Sequence, residues 1–295
     1  MGIPSRIGIV ELFVHIKRRS PRDPSAALMA SIRRNADARL HDVLRILEDP
    51  RTADLGLIVF PGWTLVGKDL PEEVIKAAED RTVVIETLLP ASERLAGLKS
   101  KSGKASFIKA TKGAKSWDEE VPWHTYVIHG GEKSEPYSQR IITSAQAGRV
   151  GNPSPRVLML NEELVSGRRS WTSGSALWIC GEVNALYGGG RSEKVEPLIA
   201  SLPVKWSIVA NPAHRPKGPQ AMRDKRAYLS RGGVLLTTAN THNGWEDSKR
   251  HWQNAGKTAA QIYRGGRRVP LESMRGSAPA PFEIEGHRIV IIETI

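Results

Sequence analysis

The chain has 295 residues, 40% hydrophobic and 25% charged, a composition typical of soluble globular proteins and not of disordered chains. Basic residues outnumber acidic ones by 43 to 31, and the resulting net charge of +12 favours anionic partners. A single cysteine excludes an internal disulfide and a multi-cysteine metal site, and no apolar run approaches the roughly 18 residues of a membrane span. We therefore expect a cytoplasmic protein without a metal, another cofactor or a membrane partner.

Short β-branched runs alternate with helical stretches, which is typical of the α/β class. In the first part of the chain, we predict a strand at 6–14, a helix at 26–47, a strand at 55–63, a helix at 71–80, a strand at 82–89 and an irregular basic segment around 99–120. Next come a strand that runs into a turn at 124–133, a short strand at 156–160, a strand that enters a sharp turn at 175–182 and a helix at 192–202. The last part has a strand and loop at 205–214, a helix at 219–232, a strand and loop at 233–245, a hairpin at 257–271 and a closing strand at 287–295. Because no repeat or long linker divides the chain, we expect a single domain over residues 1–295 with the basic segment as an insertion.

The only cysteine, Cys180, follows the apolar run Leu177-Trp178-Ile179 and precedes a glycine and Glu182. A thiol with an ordinary pKa of about 8.5 is mostly protonated at neutral pH, so a nucleophilic role requires a nearby base or cation. Free cysteine is also often a small buried hydrophobe. The motif alone leaves both roles open.

Seven blocks occur in an order that resembles the nitrilase (carbon–nitrogen hydrolase) superfamily. They are RIGIVEL (6–12), DLGLIVFPGWTLVG (54–67), HTYVIHGGEK (124–133), LWICGE (177–182), IVANPAHRP (208–216), LLTTANTHNGW (235–245) and GKTAAQIYRGGRRV (256–269). The resemblance implies a four-layer α-β-β-α sandwich and a homodimer. It also implies enzymes that cut nitriles or amide-type C–N bonds with a cysteine nucleophile, a glutamate base and a lysine that stabilises developing charge.

The family pattern places the nucleophile at Cys180 and an acid at Glu182, but its base position, after Phe-Pro, is Gly62. Neither glycine nor the following Trp63 can accept a proton, and we predict that these two residues line the substrate site. The closest counterpart of the family lysine is Arg140, which keeps a positive charge but is not a proton donor at ordinary pH. Lys133, in the turn after a predicted strand, is the alternative. The family's second glutamate corresponds to residue 162 or 163.

Histidines are the best substitutes for the missing base. His214 and His242 each follow a predicted strand, and a Cys–His pair is a common way to form a thiolate. We predict His214 as a catalytic residue and His242 as a substrate-binding one. His124 replaces a common family asparagine and is a further candidate for the pocket. Another acid, Glu86 or Glu182, is the alternative occupant of the space beside the glycine.

Three functions remain open on these grounds. The first is a thiol-dependent hydrolase of amide or nitrile C–N bonds, with a small amide, nitrile or carboxylate-bearing molecule as its ligand. The second is a catalytically inactive binding or regulatory protein that keeps the fold. The third is a nucleic-acid-associated protein, for which the net charge and the Lys-rich segment 99–117 are the only signals. The GGGR stretch (188–191) is an additional candidate for anion binding.

Overall fold

The computed structural model describes residues 4–15, 24–90, 121–190, 194–214, 220–242, 259–270 and 281–293. Its strands form two main sheets, numbered here in chain order. The first sheet contains β1 (Arg6–Glu11), β3 (Leu57–Val59), β4 (Leu65–Val66), β5 (Thr82–Leu88), β6 (Trp123–His129), β7 (Glu132–Lys133), β18 (Phe282–Ile284) and β19 (His287–Glu293). The second contains β10 (Ser175–Leu177), β13 (Ile208–Pro212), β14 (Val234–Thr238), β16 (Gln261–Arg264) and β17 (Arg267–Val269).

The remaining strands form three short pairs: β2 (Phe13–Val14) with β15 (Thr241–His242), β8 (Gly148–Arg149) with β9 (Asn152–Pro153), and β11 (Leu186–Tyr187) with β12 (Glu196–Pro197). The helices are α1 (Pro24–Arg34), α2 (Ala36–Glu48), α3 (Glu72–Ala78), α4 (Ser144–Ala147), α5 (Pro155–Val165) and α6 (Gln220–Leu229), with 3₁₀ turns at Pro50–Thr52 and Cys180–Ala185. None of the helices in the described ranges is both long and apolar enough to cross a bilayer.

Three apolar clusters show how these elements stack. The two sheets face each other across a cluster that includes Ile9 and Val59 of the first sheet and Ala210 and Leu236 of the second. The outer face of the first sheet packs against α2 and α3, and the outer face of the second packs against α5 and α6. Alternation along each strand explains this, since a strand between two layers buries both of its faces. The four-layer α-β-β-α class expected from the sequence is confirmed.

Strand direction brings the ends of several strands to one edge. In the second sheet β10, β13 and β14 are parallel neighbours, so the segments that follow them emerge on the same side. In the first sheet β3 and β5 are also parallel. The backbone N–H of Gly62, after β3, donates to the Ala213 carbonyl, after β13, at 3.0 Å. This bond joins the two sheets at the edge where the site lies.

Three local predictions differ from the structure. Residues 156–160 form part of α5 rather than a strand, because Pro155 opens the helix and the apolar residues Val157, Leu160 and Leu164 recur at helical spacing beyond that short run. Within 192–202, the structure has only the short strand β12 and turns, and no helix among the residues it describes. The helix predicted at 26–47 is two helices that meet at Asn35.

Candidate active site

The first component of the site is the turn that carries Cys180. This residue follows β10 and opens a 3₁₀ turn over Cys180–Ala185, with a φ of +34°. Positive φ is uncommon for a residue with a Cβ, and such strain is concentrated at functional sites. Every other residue of this turn is buried, whereas Cys180 retains partial exposure. Cys180 therefore lies at the margin of the buried turn, in contact with the apolar cluster between the sheets.

Glu182 holds that turn in place. Its carboxylate is fully buried and accepts hydrogen bonds from the backbone N–H groups of Ile179 and Arg140, both at 2.7 Å. It also accepts one from Nη1 of Arg169 at 2.8 Å. Burial raises the pKa of Glu182, against the opposing charge of Arg169. These contacts assign Glu182 a supporting role in the geometry of the cysteine turn.

The residue beside the thiol is His214, which follows β13. The imidazole and the backbone N–H of His214 are close enough to the Cys180 sulfur to lower the pKa of the thiol by charge and hydrogen bonding. Nε2 of His214 lies 2.7 Å from Oε1 of Glu86, so the other ring nitrogen, Nδ1, is the one left for the thiol. Glu86 is fully buried in β5 and is itself fixed by the hydroxyl of Thr125 at 2.9 Å. The structure thus brings together a thiol, an imidazole and a carboxylate in series.

Gly62 provides the space that this imidazole occupies. A Cβ built on Gly62 would lie 2.8 Å from Nε2 of His214 and closer still to its Cδ2. The space beside Gly62 is therefore filled from the other sheet, by His214 with Glu86 behind it. The backbone of Gly62 is also committed, because Nδ2 of Asn240 donates to its carbonyl at 2.6 Å.

The charges in the series reinforce one another. Burial of the sulfur raises the pKa of Cys180, but the charge and hydrogen bonds of His214 outweigh it, and the pKa lies below its ordinary value. Burial acts to lower the pKa of His214, yet the charges of Glu86 and Cys180 outweigh it and raise the pKa to about 10. Arg226, whose Nε donates to Oδ1 of Asn211 at 3.0 Å, adds a further positive charge that lowers the Cys180 pKa. The favoured state is a thiolate beside an imidazolium.

Two tryptophans enclose the imidazole. The Trp63 ring stacks on His214 with ring centroids 4.2 Å apart and an interplanar angle of 11°. The Trp123 and His214 rings form a T-shaped pair, with centroids 4.7 Å apart and an interplanar angle of 69°. Trp63 is only 1% exposed, so it offers a ligand almost no surface. Its position is that of a packing partner for His214, in contrast to the substrate contact predicted from the sequence.

The cationic candidates lie elsewhere. The Arg140 guanidinium forms an ion pair with Glu163, and its Nε donates to the same carboxylate at 2.9 Å. Lys133, which lies in β7 and not in the turn predicted from the sequence, forms an ion pair with Asp69. The ion pairs of Arg140 and Lys133 are therefore with carboxylates and not with Cys180. Of the two acids proposed as the second glutamate, residue 163 is buried in this network, whereas the side chain of residue 162 is 73% exposed.

The remaining candidates are His124, His242, the Lys-rich segment and the GGGR stretch. His124 immediately precedes Thr125 in β6, so its side chain lies on the opposite face of the sheet from the Thr125–Glu86 contact. His242 pairs through its backbone with Val14, and its side chain lies outside the described residues. The Lys-rich segment also lies outside them. In the GGGR stretch, the Gly190 N–H donates to Asp224 at 2.8 Å, so a carboxylate of this chain already occupies that donor.

Sequence reasoning gave Glu86 only as an alternative occupant of the space beside Gly62 and missed Trp123. A charged residue inside the apolar run TVVIETLL was the available signal for Glu86, because buried carboxylates require partners. Trp123 gave no comparable signal, since a tryptophan at a strand end is ordinary.

Replacement of Gly62 by alanine should destabilise the fold by about 1–3 kcal/mol, the usual cost of forcing a methyl group into occupied space. The new methyl group would meet the His214 ring, so the imidazole should move and Cys180 should lose its low pKa. Urea unfolding and thiol alkylation measure the two effects. In a His214→Ala background the cost of Gly62→Ala should shrink; an equal cost in both backgrounds would show that the imidazole is not what the methyl group meets.

Fold and site together define a four-layer α/β protein with a thiol, an imidazole and a carboxylate at one edge of its two sheets. No family model matches the sequence, and no curated protein matches it. Over 98% of its length the chain is similar to a solved glutamine-dependent NAD(+) synthetase from Cytophaga hutchinsonii, with 10% identity and a TM-score of 0.43; it covers 42% of that protein, less than half of its length. A carbon-nitrogen hydrolase from Helicobacter pylori G27 is similar over 98% of this chain and 89% of its own, with 11% identity and a TM-score of 0.41. A mutant of the amidase from Nesterenkonia sp. AN1 is similar over 98% of this chain and 91% of its own, with 11% identity and a TM-score of 0.39.

Proposed function

We propose that this protein is a thiol-dependent hydrolase of amide or nitrile C–N bonds and a divergent relative of the nitrilase superfamily. One observation carries the proposal: His214 fills the space beside Gly62 and joins the Cys180 sulfur to the Glu86 carboxylate. A nucleophile, a base in contact with it and an acid that orients the base are the general requirements of covalent catalysis by a thiol. The ordered sequence blocks around Cys180 support the choice of C–N bonds.

For an amide, the Cys180 thiolate attacks the carbonyl carbon and forms a tetrahedral adduct. The C–N bond then breaks, and the His214 imidazolium gives its proton to the departing amine, which leaves a thioester on the sulfur. Water attacks the thioester while neutral His214 takes a proton from it, and the C–S bond breaks to release the acid and restore the thiolate–imidazolium pair. Glu86 stays ionised throughout and stabilises the imidazolium.

For a nitrile, the same thiolate attacks the nitrile carbon, and His214 donates its proton to the nitrile nitrogen to give a thioimidate. Addition of water, with proton transfer through His214, gives a tetrahedral adduct that loses ammonia and forms the thioester described above. Both routes use one group, His214, as acid and base in turn. In this proposal, His214 carries out the proton transfers that the resemblance assigns to a glutamate and a lysine.

Alkylation of Cys180 by iodoacetamide should proceed at lower pH than that of an ordinary thiol, because the neighbouring His214 lowers the pKa of the Cys180 thiol. The thiolate fraction rises as pH rises through this lowered pKa. Hydrolysis should also decline at alkaline pH, since the imidazolium that protonates the leaving group is lost as pH rises through about 10. The labelling rate between pH 5 and 9, followed by mass spectrometry, tests whether the pKa of the thiol is lowered.

N-acetylcysteine is the reference thiol for this measurement, and Cys180→Ser controls for reaction elsewhere. A labelling curve that coincides with that of N-acetylcysteine would remove the activated nucleophile and favour the alternative of a non-catalytic binding or regulatory protein. One observation supports that alternative: the Arg140 guanidinium pairs with Glu163, so this cation is engaged away from Cys180. Assays on a panel of small amides and nitriles, with Cys180→Ser as control, then identify the substrate class.

A further inference from the structure

The packing around His214 has a consequence for its charge. His214 is 5% exposed, and its ring contacts those of Trp63 and Trp123, whose own ring centroids are 5.6 Å apart at 68°. The indole face carries a partial negative charge that attracts cations, and tryptophan is the aromatic residue with the strongest attraction. A flat cation stacked at 4.2 Å from the Trp63 ring is stabilised relative to the neutral imidazole.

The backbone of Trp63 and the indole of Trp123 are held by contacts that do not involve the thiol. Trp63 has a φ of +56°, and its backbone N–H donates to Oε1 of Glu86 at 2.8 Å, the same oxygen that His214 contacts. The carbonyl of Trp63 accepts from the buried guanidinium of Arg39 at 3.2 Å. Nε1 of Trp123 donates to Oε1 of Gln139 at 3.2 Å. A non-glycine residue at positive φ is retained only where its surroundings over-determine it.

We propose that Trp63 and Trp123 are positioning residues that hold His214 as an imidazolium facing Cys180, so that the thiolate persists at neutral pH. This inference rests on the proposed function. The charged groups that act on His214 are Glu86 from β5 and Cys180 from its turn. Arg226, from α6, acts on the Cys180 sulfur. The indoles add no formal charge; they act through His214 by favouring its protonated form and by excluding water from its contact with Glu86.

The test compares Trp63→Phe, Trp63→Leu, Trp123→Phe and Trp123→Leu with the wild type, by the pH midpoint of Cys180 alkylation. The leucine variants remove the aromatic face, and we expect labelling near neutral pH to slow by about 2- to 30-fold, with the midpoint at higher pH. The phenylalanine variants keep a weaker face and should shift less. Trp206→Leu, a partly buried tryptophan packed on the outer side of the second sheet, is the control for loss of an indole and should leave the midpoint unchanged.

A general loss of stability changes the fraction of folded protein but does not order the midpoints by aromatic character. Circular dichroism establishes which variants fold, and the phenylalanine variants carry the test if a leucine variant does not. Suppose that the wild-type midpoint is lowered and the folded Trp63 and Trp123 variants have the same midpoint. This result would overturn the positioning role and leave the proposed function intact. A wild-type midpoint equal to that of an ordinary thiol would overturn both.

Discussion

Substitution of His214 by glutamine should reduce C–N bond hydrolysis by about 10²- to 10⁴-fold, the contribution typical of a general acid–base group. Glutamine preserves a polar side chain of similar reach but can neither accept the thiol proton nor carry the charge that lowers the pKa of Cys180. Labelling of the thiol should therefore follow the curve of an ordinary thiol. Hydrolysis of the best substrate and the alkylation profile are the two measurements.

His41→Gln is the matched control, because His41 lies on an exposed position of α2 and away from the site. It should leave both measurements at the wild-type value. Retention of a low labelling midpoint in His214→Gln would mean that another group activates Cys180. In that case Arg226 is the next candidate, since it is the other positive charge that lowers the pKa of this thiol.

The second large effect concerns stability. Arg169 is fully buried, and its guanidinium contacts Glu163 at 2.7 Å, Glu182 at 2.8 Å and the Ser138 carbonyl at 3.0 Å. Replacement by methionine keeps much of the volume and leaves two buried carboxylates short of a cation. Removal of one partner from a buried ion pair typically costs about 3–5 kcal/mol, and we expect a loss of that size in the free energy of unfolding, measured with urea.

Arg168→Met is a closely matched control for this experiment. The side chain of Arg168 is 56% exposed and pairs with an exposed acid, so its removal should change the free energy of unfolding by less than about 1 kcal/mol. Similar losses in the two variants would contradict the importance of the buried network. Because Glu182 also anchors the backbone N–H of Ile179, the turn that presents Cys180 should be less well held in Arg169→Met, and labelling at neutral pH should slow.

Local patterns in the sequence predict many of the secondary-structure elements. Runs of β-branched residues predict strands of both sheets, and an apolar strand that stops at Cys180 predicts the turn that carries the thiol. The same patterns fail where the window is too short. Residues 156–160 look like a strand by themselves, and only the continuation to Leu164, one helical turn later, shows the helix.

The components of the site were visible in the sequence, but their combination was not. The sequence by itself determined that Gly62 cannot be the base, that Cys180 is the sole thiol, and that His214 and His242 follow strands. The sequence already favoured His214 as the catalytic histidine, but only the tertiary structure placed it against Glu86, in a contact that joins residues 128 positions apart across two different sheets. No local periodicity encodes how one sheet is placed on the other. The missing Cβ of Gly62 acquires its meaning only when the imidazole from the other sheet is seen to fill that space.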